Sequence, residues 1–118
     1  VSTTTTSDIT ATYAVTVASY SGANYYYIDG SRAATLNLSE GSIYRFDQSN
    51  SSNSNHPLRF SITSNGTWGG GSAYTTGVTI NGTPGSAGAY SQIEVASGAP
   101  TLYYYCTNHS GMGGQINT

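Results

Sequence analysis

Three side chains that can hold a soft metal ion crowd into one short stretch of this chain, Cys106-Thr-Asn-His109-Ser-Gly-Met112. They are its only cysteine, its only methionine and one of its two histidines. A thiolate, an imidazole and a thioether form the mixed soft and borderline set that selects copper when a second imidazole completes it. His56 is the only candidate for that place. Taken singly, each residue has an ordinary explanation: a lone cysteine packs as a small hydrophobe, a lone methionine fills a core gap and a lone histidine hydrogen-bonds in a turn. The case for a metal rests on their coincidence.

Such a set works only if the fold delivers His56 to the other three, and the period-two alternation of strands indicates how. In Leu102-Tyr103-Tyr104-Tyr105-Cys106, the alternation places Leu102, Tyr104 and Cys106 inward, with Tyr103 and Tyr105 as packing residues on the opposite face. In a second segment His56, Leu58, Phe60 and Ile62 share the inward face, with Pro57, Arg59 and Ser61 opposite. Cys106 therefore ends one core-facing row and His56 begins another. The polar run before His56, residues 48–55, reads as a loop with nothing to bury.

Other short strands are predicted at residues 13–17, 25–28, 34–38, 43–47, 74–80 and 90–95. Breakers such as Asp29-Gly30, Asn81-Gly82 and Pro84-Gly85 separate them. Leu36 and Leu38, Tyr44 and Phe46, and Ile93 and Val95 are the expected inward pairs. Helical periodicity is absent, so any helix is expected as a short turn within 65–88, where Trp68 sits in a glycine-rich loop and is expected to cover an edge of the core. At 118 residues the chain suits one core. These elements predict an all-β, Greek-key sandwich or barrel of about seven or eight strands over residues 11–118. Residues 1–10 form a Thr-rich extension, with two readings open: a flexible tail, or an extended arm for self-assembly with a neighbouring subunit.

Composition narrows the function classes. Only 7% of residues are charged, lysine is absent and the formal net charge is −2, so the basic footprint of a nucleic-acid binder is missing. No apolar run approaches the roughly 20 residues of a membrane-spanning helix, and membrane insertion is not expected. One cysteine allows no intrachain disulfide. An uncharged, Ser/Thr/Asn-rich surface points to an extracellular, periplasmic or virion-associated setting. Aspartate is scarce and no nucleophile elbow occurs, which argues against a hydrolase. The sequons at Asn37, Asn65 and Asn81 matter only in a glycosylating host.

The stretch Tyr105-Cys106-Thr-Asn-His109-Ser-Gly-Met112 resembles the last-strand loop of the cupredoxin, or blue copper, family, in the compact spacing of its amicyanin-like members. His56-Pro-Leu-Arg-Phe60 resembles the family's first ligand on its inward strand. The ending is also similar to that of uncharacterised cupredoxin-like modules in marine phage and bacterial proteins. The resemblance implies one mononuclear copper held by His56, Cys106, His109 and Met112, the first three in a plane and Met112 axial. Two positions depart from the family pattern. Asn108 stands where many members have proline, and Pro57 stands where an asparagine often pins the cysteine loop. Asn55 or Asn108 is the expected source of that outer hydrogen bond.

Two functions follow from this reading. One is electron transfer or copper carriage with a redox partner protein, without catalysis, because protein ligands fill every position. The alternative is a structural or adhesive module of a filament or virion, with copper absent or purely structural. The Thr-rich extension and the low charge favour the second, since such a surface is poorly suited to steering a soluble partner.

Overall fold

The computed structural model describes residues 8–118, so residues 1–7 of the Thr-rich extension lie outside the described residues. Integration into the fold is already evident at Thr10, whose amide donates to the carbonyl of Ile43 at 2.7 Å.

Ten strands form two layers: β1 (Ala11–Tyr20), β2 (Ala23–Ile28), β3 (Ser31–Arg32), β4 (Leu36–Asn37), β5 (Ile43–Asp47), β6 (Leu58–Ser61), β7 (Val78–Asn81), β8 (Tyr90–Glu94), β9 (Leu102–Cys106) and β10 (Gly114–Asn117). The larger sheet has the order β3-β2-β1-β5-β8-β7 and the smaller β4-β10-β9-β6. This is the expected all-β sandwich. Both sheets are mixed, because β1 runs parallel to β5 and β10 parallel to β4. The only helical pieces among the described residues are two 3-10 turns, Ser51–Asn53 and Gly66–Gly69, of which the second falls in the expected 65–88 segment.

The core lies between the layers. Val15, Tyr26, Ile28, Phe46 and Ile93 from the larger sheet meet Leu58, Phe60, Leu102, Tyr104 and Ile116 from the smaller. Phe46 bridges the gap, packing edge-on to Phe60 at 5.3 Å between ring centroids and 6.2 Å from Tyr104. Aromatic pairs of this kind add about 0.5–1.5 kcal/mol beyond the apolar area they bury. The expected inward pairs Leu36 and Leu38, Tyr44 and Phe46, and Ile93 and Val95 are all buried.

Four expectations are corrected. First, Ile62 is not inward; it is 60% exposed. Strand β6 ends at Ser61, whose hydroxyl donates to the Ser72 carbonyl and accepts from the Thr63 amide, so the chain turns there and the alternation stops. Second, Tyr105 is buried although alternation turns it to the face opposite the core row, because the Gly66–Gly69 turn lies over it. A Cβ on Gly66 would overlap the Tyr105 ring, so only glycine permits this covering. Third, the polar run 48–55 does bury side chains, namely Gln48 and Asn53. Fourth, the strands exceed seven or eight through β3 and β10. Strand β10 carries no strand signal in its sequence. It forms because a Cβ-free Gly113 passes close against the Tyr104 carbonyl and Ile116 drops into the core.

Candidate metal centre

Antiparallel pairing of β6 with β9 sets Leu58 opposite Cys106, and the Thr107 amide extends the ladder to the Pro57 carbonyl at 3.2 Å. This register brings His56, just before β6, to the end of β9 where Cys106 sits. Residues 50 positions apart thus become neighbours. The Cys106 Sγ lies 3.7 Å from His56 Nδ1 and 3.7 Å from His109 Nδ1, and the three ligand atoms are all within 4.8 Å of one another. The imidazole rings sit 4.6 Å apart between centroids at 44°.

The two sulfur–nitrogen separations fit a shared ion. With metal–sulfur and metal–nitrogen bonds of about 2.3 and 2.0 Å and angles between tetrahedral and trigonal, sulfur and nitrogen stand roughly 3.5–3.7 Å apart. The cluster contains no carboxylate, so its donors are of the softer kind. Cys106 is fully buried, His56 partly buried and His109 exposed. Met112 is buried in the same hydrophobic core as Cys106. Partial burial, and then the charge of His109, lower the pKa of His56, favouring the neutral imidazole that a metal requires.

The backbone around His56 is held from inside the sandwich. Its carbonyl accepts from Tyr26 Oη at 2.6 Å and from Gln48 Nε2 at 2.7 Å. Gln48 Oε1 accepts from the Leu58 amide at 3.0 Å, so one side chain brackets Pro57. Gln48 Nε2 also donates to Asn53 Oδ1, and Asn53 Nδ2 donates to the Val15 carbonyl at 2.7 Å. The His56 amide donates to the Asn53 carbonyl at 2.8 Å. Every buried side-chain polar atom among the described residues has a partner, as buried polar groups must. Burial raises the Tyr26 pKa far above the usual phenol value, with the neighbouring Cys106 adding to it, so the hydroxyl remains a donor.

The loop after Cys106 is held from outside. Asn108 Nδ2 donates to the Asn55 carbonyl at 3.0 Å, linking the residue before His109 to the residue before His56. Asn55 takes part through its carbonyl, and its backbone is left-handed at φ 66°. Trp68 is half exposed, and its indole N–H donates to the Cys106 carbonyl at 2.9 Å. The backbone amide of Tyr26 donates to the Met112 carbonyl at 2.9 Å, so Tyr26 touches both ligand segments.

Three of the four sequence-predicted ligands, His56, Cys106 and His109, bring their ligand atoms into one cluster, and the fourth, Met112, is buried in the core that also holds Cys106. The sequence reading missed Tyr26, Gln48, Asn53 and Asn65 as supports. Only Asn65 carried any mark, as the head of a sequon, and nothing in that motif says which loop it would meet. Against known proteins, no family model matches this chain and no curated protein sequence matches it.

Proposed function

We propose that this is a cupredoxin-like domain that binds one copper ion and serves in electron transfer or copper carriage. The observation that supports the reading is the Cys106 thiol standing 3.7 Å from an imidazole nitrogen on each of two separate segments. His56, Cys106 and His109 would hold the ion, and the Met112 thioether would be a further, weaker donor. Copper bound by such a set supplies one-electron exchange between Cu(I) and Cu(II), with a potential that depends on the axial ligand and the surroundings of the sulfur. Burial shields the thiol from water, and the anchored His56 backbone keeps that imidazole near it in advance.

The test is Cu(II) titration of the purified protein with visible spectroscopy and thermal melting. We expect an intense thiolate-to-copper band at one equivalent, its loss in Cys106→Ser, and a melting temperature raised by roughly 10 °C at a hundredfold excess over Kd. No band together with an unmoved melting temperature would overturn the proposal.

An assembly role draws on the surface instead, where Tyr20, Ile62, Trp68 and Ile80 are exposed on a chain with very few charges. Sedimentation of the full chain separates the readings: a monodisperse monomer with reversible redox behaviour counts against assembly.

A further inference from the structure

The Gly66–Gly69 turn supplies none of the ligands, yet it reaches the ligand loop at two places. Trp68 takes the Cys106 carbonyl, as described. Immediately before the turn, Asn65 Nδ2 donates to Ser110 Oγ at 2.8 Å, and Asn65 Oδ1 accepts from the Gly111 amide at 2.9 Å. Ser110 and Gly111 are the two residues between His109 and Met112. Asn65 is itself fixed in the left-handed region, φ 64° and ψ 12°, with its carbonyl accepting from the Trp68 amide. The next residue, Gly66, rests on the Tyr105 ring, and Tyr105 immediately precedes Cys106. The clamp is thus registered to the strand that carries the thiol, and it sets the span between the second imidazole and the thioether relative to that strand.

We propose that Asn65 is a positioning residue that holds the His109-to-Met112 span in its metal-ready shape before any ion binds. This deepens the copper reading and rests on it for the identity of the ion. Tyr26 holds the Met112 end of that span, and between His109 and Met112 stand only a short polar residue and a glycine at φ 79°. The sequence marked Asn65 only as the head of a sequon; the structure gives its amide another use.

The test separates the clamp from the metal. Asn65→Gly removes the side chain while tolerating the left-handed backbone, and Asn65→Asp keeps an oxygen facing Gly111. In the metal-free protein, amide exchange followed by NMR should be about tenfold faster at Gly111 in Asn65→Gly, unchanged in Tyr103 to Tyr105, and restored in Asn65→Asp. Unchanged Gly111 protection in Asn65→Gly overturns the clamp whether or not copper binds. With Cu(II), the thiolate band of Asn65→Gly should shift from that of the parent and return towards it in Asn65→Asp. A band that stays put while Gly111 protection is lost overturns the positioning role, since a purely structural contact would behave that way. A parent with no band overturns the copper reading and the clamp's metal role with it, while the exchange result still decides whether the contact orders the loop.

Discussion

On one side of the candidate site, the His56 carbonyl receives Tyr26 Oη and Gln48 Nε2, both from fully buried side chains, and the network continues through Asn53 to β1. On the other side, the Cys106-to-Met112 loop leans on Asn108, Asn65 and Trp68, through bonds that lie at or near the surface. A buried network in low dielectric is worth most when complete and costs most when one member is lost. An exposed bond exchanges readily with water and contributes little to stability. The His56 side of the site is therefore inseparable from the fold, while the loop side can be altered with the fold intact. Such a division lets the fold hold His56 firmly while the Cys106-to-Met112 loop varies.

The comparison is broken most directly where the loop rejoins the sheet. Gly113→Ala would drive a Cβ into the Tyr104 carbonyl, so we expect a loss of about 3 kcal/mol in urea unfolding, as large as any core change. A neutral Gly113→Ala would show that the loop's exit is as adaptable as its middle. Next in size is Gln48→Leu, which removes donors to His56 and Asn53 and the acceptor for the Leu58 amide. It should cost about 2 kcal/mol of stability and weaken copper binding at the same time. Asn108→Ala should separate these effects, changing stability by no more than about 0.5 kcal/mol while speeding metal release in a chelator-competition assay. Equal stability losses in Gln48→Leu and Asn108→Ala would erase the distinction between the two sides.

The smallest expected effect is on pH. His56 has a folded pKa below its unfolded value of about 6.5, so between the two the unfolded chain binds more protons. Its contribution to the metal-free protein is fully present above that unfolded value and lost as pH falls through the lowered folded pKa. Urea midpoints measured across that window should decline towards acid, and His56→Gln should flatten the decline.

Much of the fold was legible because half-buried strands reveal their inward face through alternation. Leu102, Tyr104 and Cys106, and likewise Leu58 and Phe60, are buried as their parity requires. The same rule failed at Ile62, where the strand had already ended, and at Tyr105, where a glycine turn covers a face that alternation assigns to the outside. Alternation reports the two faces of a strand but neither where pairing stops nor what lies above the sheet. Gln48 and Asn53 were hidden for a related reason. Within a polar run, nothing distinguishes an amide that faces water from one that satisfies buried carbonyls.

By itself, the sequence determined the inventory: four soft or borderline donors, three of them at a fixed short spacing, on a chain whose alternation builds an all-β sandwich. Spacing along one loop is a local property, and burial parity follows from the period of the strand, so both can be read without the fold. The tertiary structure alone decided the distances. Pairing Leu58 with Cys106 brought His56 to a thiol that stands 3.7 Å from an imidazole nitrogen of both histidines, while buried amides and one left-handed asparagine, contributed from elsewhere in the chain, hold the His56 and Cys106-to-Met112 segments in place.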